Sequence, residues 1–569
     1  MSVELLRGPA AEAALADPAF QRQWKDLVSR CAWSTSFQSL PFVTTWYDVY
    51  RGRYEPVLAL ERAGESLAAL LPLALELEGR AVVCAGGHHA EYPAWLVAGA
   101  DADAFLYAAL DQVKALGARG SLRFDYLPPG ALVPGFARGG AAARGVVKTV
   151  KRPLMDVRSP EIAESLRKKS NKSRLSRLKR IGPVRLQQFQ TAAELERVFG
   201  AIITQCDLRQ GSMHHGTPFR DDPLKRELFL RFMDQPELMH ATALMAGDTV
   251  LASNIGFVSG TAVTLGLITH SPLHAADSPG KLLVLLLGQL LAEQGFATFD
   301  LTPPAGDYKD RYATGFDEVQ SAEFFLNRGD ALPYQVRQVA RTTAKRMVAT
   351  LGITRKTIGP HLERVRSRLS RGRLWELPVS AVRIGVRRSW STSEYLIYRA
   401  SPIPARTSAA AVSFAKNQLE DLLLYQPSTT ADPPPWEFWS SALSRLEEGQ
   451  VVYTLAEAGR LVHHSWLIPA TNGIGTDYGH RITTNDKSAV LSDDVTHPVA
   501  RGRGIHQASI LARMEDARAA GASGAYSSVR ADNGPSRHNY EKMGFVVCSV
   551  ARAEFRLGKI SLSVEGSCA

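Results

Sequence analysis

Four consecutive residues, Arg501-Gly502-Arg503-Gly504, are the part of this 569-residue chain best suited to hold an anion. Glycines let backbone N–H groups approach a ligand closely, and the two guanidiniums add positive charge. A helix starting directly afterwards points the positive end of its dipole at the same place. The spacing supports that helix: Ile510, Met514 and Ala517 recur at i, i+4 and i+7, and Gly521 suits the left-handed position that ends it. A strand-like run, Val490 to Thr496, leads into the loop, and another, Ala525 to Val529, follows the helix. A second helix opens at Asn533-Gly534-Pro535, where Asn suits the cap and Pro the first helical position. It carries Ser536 and Tyr540 one turn apart on one face. Asp493 and Asp494 end the first strand on alternate faces, so at most one of them points into a site.

This ordered set resembles motifs A and B of the GNAT acyltransferase superfamily. Asn533, Ser536, Tyr540 and Glu541-Lys542-Met543-Gly544-Phe545 follow the family's spacing. The resemblance implies that Thr496, Arg501, Gly502, Arg503, Gly504, Ile505 and His506 hold the pyrophosphate end of acetyl-CoA or another acyl-CoA, used as co-substrate. His506 stands where the family usually has a small residue, which alters the approach of a phosphate. Asn533 either hydrogen-bonds the pantetheine arm or only caps its helix. Acyl transfer from a thioester needs a deprotonated acceptor, a stabilised oxyanion and a proton for the leaving thiolate. The resemblance places Tyr540 as that proton donor, with Ser536 beside it. Asp494 is the base expected at the strand end, and Asp493, His464 and His497 compete with it.

Composition bounds the rest. The apolar share of 45% and charged share of 22% are ordinary for a globular protein. The length suits about three or four domains. Five scattered cysteines without a CxxC pair argue for a reducing compartment and against zinc. The N-terminal residues carry acids and no apolar core of signal-peptide type, and the most apolar run, Leu282 to Ala292, is too short for a bilayer. The expectation is a cytoplasmic protein with no membrane span and no metal. Adjacent His88 and His89 would point to opposite faces of a strand, which argues against a shared ion.

The net charge of +11 is concentrated in two stretches, Arg167 to Arg180 and Arg337 to Arg373. Such stretches bind polyanions or form solvated helix faces. The first lacks interleaved aromatic residues, which counts against single-stranded nucleic acid.

Along the chain the order loop, helix, Gly stop, strand recurs. Asp277-Ser278-Pro279-Gly280-Lys281 precedes an apolar helix ending at Gly295, and the strand Phe296 to Leu301 follows. Residues 101 to 126 repeat only the helix, glycine and strand. The fold class expected is α/β (α+β), with tandem GNAT-like units, each a mixed, mostly antiparallel sheet flanked by helices. The units are residues 1–150 and 151–330, then a basic helical connector at 331–376, then the C-terminal domain at 377–569. The first two lobes together resemble the CelD/BcsL-type acetyltransferases of cellulose and exopolysaccharide gene neighbourhoods, on Ser278, Pro279, Gly280, Asp300, Tyr308, Lys309 and Tyr312. These residues form a second candidate site. His270 lies near the place of the family's usual acidic residue. That fold also resembles the FemABX transferases, whose donor is aminoacyl-tRNA. The expected acceptor is a small molecule or glycan-linked group. DNA is not expected, and tRNA only under the FemABX alternative.

Overall fold

The computed structural model describes residues 3–566 except 80, 100, 119, 132–144, 236, 307, 327–389, 404–411, 431, 476–480 and 557–558. The basic connector read at 331–376 lies outside the described residues. The chain divides into two compact units. One comprises Met1–Cys206, Pro218–Ser271 and Asp277–Arg346; the other comprises Asp207–Thr217, Pro272–Ala276 and Met347–Ala569.

The first unit holds two sheets. Strands β1 (Glu4–Arg7), β2 (Tyr54–Ala63), β3 (Ser66–Glu76), β4 (Val82–Cys84) and β5 (Leu96–Val97) form the smaller, antiparallel one. Its helix α1 (Leu40–Tyr50) starts at Ser39, whose hydroxyl accepts from the Phe42 N–H. The apolar face of α1 is mostly aromatic. Phe42 stacks on Phe232 at 4.9 Å and meets Phe257 edge-on at 5.5 Å. Each such pair adds about 1 kcal/mol to its area burial. One core cluster therefore runs from Ala11 to Val319 and joins both sheets of this unit.

The second sheet contains β6 (Ser121–Leu127), β7 (Gly145–Asp156), β8 (Val184–Phe189), β9 (Met239–Ala246), β10 (Thr249–Ser259), β11 (Ala262–Thr264), β12 (Leu267–His270), β13 (Thr298–Asp300) and β14 (Gly315–Phe325). Its order is β6-β14-β7-β13-β11-β10-β9-β8, with β12 also on β10. β7 runs across residue 150 because it pairs with both β13 and β14. The basic stretch is two helices, α2 (Pro160–Arg167) and α3 (Lys169–Leu178), which meet at Lys168. Helix α4 (Pro279–Glu293) connects β12 to β13, and β13 lies parallel to β11. Gly256 permits the close crossing of β10 and β11: a Cβ there would sit 1.8 Å from the Thr264 carbonyl oxygen.

The C-terminal sheet has eight strands: β15 (Trp390–Ala400), β16 (Ala415–Lys416), β17 (Val451–Glu457), β18 (Arg460–Gly475), β19 (Arg481–Thr496), β20 (Gly524–Arg530), β21 (Val546–Arg556) and β22 (Lys559–Glu565). The order is β16-β17-β18-β19-β20-β15-β21-β22, antiparallel except for β19 beside β20. Helix α5 (Pro435–Glu447) precedes β17, and α6 (Ile505–Ala519) crosses from β19 to β20. Helix α7 (Gly534–Lys542) follows β20. Ahead of α5 the described residues form β16 and a single helical turn, Leu419–Leu422. Asn417, with φ at 55°, separates the two. Mixed, mostly antiparallel sheets flanked by helices thus recur in tandem.

Candidate active site

The C-terminal site is made by two strands that part. β19 and β20 pair in parallel only from Ser488↔Gly524 to Leu491↔Ser527. Beyond that point β19 continues along β18 and β20 continues along β15, so a wedge opens between them. A bulge lies at its edge. His464 pairs with Val495 and Trp466 with Ser492, so Asp493 and Asp494 together oppose Ser465 alone. Asp493 takes up the extra residue with φ at 54°.

The bulge sends the two carboxylates to different cations. Asp493 pairs with Arg445 at 3.1 Å. Asp494 is buried and bonded to Arg513, a fully buried guanidinium that also donates to the carbonyls of Trp466, at 3.0 Å, and Ser509, at 3.2 Å. The Tyr540 hydroxyl donates to the other Asp494 oxygen at 2.8 Å. Burial alone would raise the Asp494 pKa. Arg513, His506 and His463 outweigh it and hold the carboxyl well below the usual range. Burial and the Asp494 charge push the Tyr540 phenol up. His463, paired with Thr496 across the strands, has its Nδ1 2.9 Å from the Thr496 hydroxyl, and burial pushes it down to about 3.

His506 joins this network from the first turn of α6. Gln507 donates to Asn539 Oδ1 at 2.8 Å, so the Asn539 amide donates to His506 Nδ1 at 2.9 Å. The imidazole proton therefore sits on Nε2, 3.6 Å from Asp494. The side chain turns into the core and leaves the space in front of the loop to the backbone.

The loop itself could cradle an anion. Gly502 and Gly504 have φ of 78° and 71°, and no heavy atom lies within 4 Å of where a Cβ would stand on either. The N–H groups of Gly502 to Gln507 have no hydrogen-bond partner among the described residues. Arg503 is held by Glu457 at 2.7 and 2.8 Å, and Arg501 bonds the Thr496 carbonyl at 3.2 Å. Ile505 is core, so only its N–H faces the cradle. These features fit a pyrophosphate. Asn533 accepts from the Ser536 N–H at 3.2 Å, which is capping geometry. His464 faces the other side of the sheet, against Phe438, and His497 caps a short turn before the loop.

Asp494 is thus not placed as the base expected from the sequence. An ionised carboxylate already bonded to Arg513 and Tyr540 takes a proton poorly near neutral pH. It is the centre that positions Arg513, His506 and Tyr540. Arg513 was missed, although the signal was present: it stands at i+3 on the apolar face of Ile510, Met514 and Ala517.

The first unit repeats the wedge. β11 and β13 pair from Ala262↔Thr298 to Thr264↔Asp300 and then separate. α4 starts beside the opening, with Ser278 at φ 50° and no side-chain cap. Arg177 of α3 bonds Asp277 at 2.6 Å, which brings the basic helix to this end of α4. Lys281 there has its pKa lowered by burial and by the charges of Arg174, Lys168 and Arg311. Gly280 faces His270, whose Nδ1 is 3.4 Å from the glycine's Cβ position. Asp300 is a buried tie: it accepts from Tyr92 at 2.7 Å, from Arg152 at 3.3 Å and from the Thr302 N–H at 2.8 Å. Lys309 donates to the Thr302 carbonyl at 2.7 Å, and Tyr308 and Tyr312 meet edge-on at 6.4 Å.

Residues 165–310 match the family model described as an acetyltransferase (GNAT) domain. The matched span lies in the first unit, around α4 and its wedge. No curated protein matches the chain at a significant level. Among solved structures, FemX is 9% identical, covering 56% of this chain and 98% of its own, at a TM-score of 0.38. L-PGS from Bacillus licheniformis is 10% identical, covering 58% and 97%, at 0.35. A tandem GNAT protein from the clavulanic acid biosynthesis pathway is 14% identical, covering 65% and 98%, at 0.21. Likenesses this low leave the activity to be argued from the residues themselves.

Proposed function

We propose that the chain is an acyltransferase that takes its acyl group from acetyl-CoA or another acyl-CoA at the β19/β20 wedge. One observation carries the reading: a loop of left-handed glycines with unpartnered N–H groups opens α6 beside two parallel strands that part. The thioester supplies the activated acyl carbon. The N–H groups from Gly502 to Gln507 and the Arg501 and Arg503 guanidiniums bind the pyrophosphate. The wedge takes the pantetheine arm along unpaired strand edges. Tyr540 is the proton donor for the leaving thiolate, released when its hydroxyl turns from Asp494. Neither Asp494, held ionised, nor His463, at about 3, takes a proton readily near neutral pH, so the acceptor's proton passes to water at the open end. The acceptor we propose is a small or glycan-linked amine or hydroxyl, met in the cytoplasm during exopolysaccharide or envelope assembly. The trace around Ser278 and Lys309 supports that setting.

The test is calorimetric titration of acetyl-CoA into the wild type and Gly504→Glu, which sets a carboxylate where the phosphates would lie. Micromolar binding, on the order of −8 kcal/mol, that the variant abolishes is the expected result. Binding that persists in Gly504→Glu but is lost in Gly280→Glu would move the donor to α4.

A second reading is favoured by the cations Lys168, Arg174, Lys281 and Arg311 gathered at the start of α4. There the donor is a larger polyanion, aminoacyl-tRNA, and the C-terminal unit is an accessory site.

A further inference from the structure

We propose that His88, His89 and Asp222, all in the first unit, form a site for a divalent transition-metal ion of the zinc class. The histidine pair lies beyond the end of β4 and not on a strand. Gly87–His89 is a single 3-10 turn entered through Gly86 at φ 97°. A Cβ on Gly86 would lie 2.7 Å from Phe42 and 2.8 Å from Ala90, so only glycine lets this turn sit down on the aromatic core. The tight turn brings the two rings to 4.0 Å, where strand alternation would have separated them.

One ligand atom from each of His88, His89 and Asp222 lies within 4.8 Å of the others. Donors on a bound zinc ion stand about 2.0–2.2 Å from it, so a movement of about 1 Å closes the set, and the exposed His88 can supply most of it. Both other ligands are oriented by a second layer. His89 Nδ1 accepts from the Trp46 indole N–H at 3.3 Å and lies 3.2 Å from the Gly86 carbonyl; this fixes the ring with Nε2 toward the Tyr50 hydroxyl, at 3.3 Å, and Asp222 Oδ2, at 3.9 Å, where a metal ion would replace the Nε2 proton. Asp222 is buried, and the Tyr50 hydroxyl donates to it at 2.7 Å. Burial lowers the pKa of both histidines, keeping them in the neutral state that binds metal. Arg53, 3.5 Å from the other Asp222 oxygen, and Lys225 nearby are the opposing charges. They argue for an exchangeable ion with water in the open fourth position. Bound there, the ion would tie the turn after β4 to the segment before the helix Leu224–Met233.

The test uses the full chain, stripped with EDTA and titrated with zinc chloride by calorimetry, with Tm followed in parallel. The wild type should bind one ion through these residues and gain Tm. His88→Ala, at an exposed position that leaves the fold intact, should weaken that binding at least tenfold and abolish the gain, whereas His214→Ala should do neither. A folded wild type that binds no zinc would overturn the proposal. So would a His88→Ala variant with unchanged affinity, or zinc binding lost only in His214→Ala.

Discussion

At the scale of single residues, the buried Asp494–Arg513 pair dominates the C-terminal unit. Removing one partner strands a charge that has no water to turn to, so Asp494→Ala should cost about 3–5 kcal/mol by urea denaturation. Tyr540→Phe keeps the ring and loses one hydrogen bond to a charged group, a loss of about 2 kcal/mol. If Tyr540 is the proton donor, kcat should also fall while acetyl-CoA affinity holds. A fall in stability alone would make it a packing residue.

The histidine opposite gives a pH signature. The folded-state pKa of His463 is depressed to about 3, below the unfolded value near 6.5. Its contribution to stability is therefore complete above about pH 6.5 and is lost as pH falls toward 3. Asp494 is also depressed, but from a much lower unfolded value, so its loss begins only below about pH 4. Between pH 6 and 4.5 the stability of the wild type should fall by about 1.4 kcal/mol per pH unit on account of His463. Chemical denaturation of His463→Gln over that range should show a slope shallower by that amount. An unchanged slope would mean that the imidazole is hydrated and titrates normally.

At the scale of elements, the two wedges depend on backbone detail that side-chain types do not reveal. Gly256 lets β10 and β11 cross. Gly256→Ala should destabilise the first unit by about 3 kcal/mol or more, since the clash is with a carbonyl and not with the end of a flexible side chain. Thermal unfolding followed by calorimetry would register this as a lower Tm. Asn533 caps α7, and its replacement by Ala should cost about 1 kcal/mol. Acetyl-CoA affinity unchanged in that variant would assign Asn533 to capping alone.

At the scale of the whole molecule, the excess of positive charge is put to a local use. Part of the +11 lies in α3, which Arg177 and Asp277 bring to the start of α4. A folded polyanion such as tRNA held there by four cations should show a log–log salt slope of about −3 to −4. CoA held mainly by N–H groups at the C-terminal loop should depend on salt much less. Titrations with tRNA and with acetyl-CoA at several KCl concentrations would separate the two readings. Neither result requires a membrane; no helix among the described residues is long and apolar enough to cross one.

What the sequence determined by itself is local. Glycines at 502, 504 and 521, the period of Ile510, Met514 and Ala517, and the Asn-Gly-Pro start of α7 each act within a few residues. The loop, both helices and their stops could therefore be placed without the fold. Tertiary structure decided everything that depends on partners distant in the chain. The register of β19 against β18 creates the bulge that splits Asp493 from Asp494. The end of pairing with β20 opens the wedge. Packing of the turn at Gly86 on Phe42 brings two histidine rings together. The physical reason is the same in each case: strand pairing and core contact set which way a side chain points and how little water reaches it. That environment turned Asp494 from an expected base into a fixed charge.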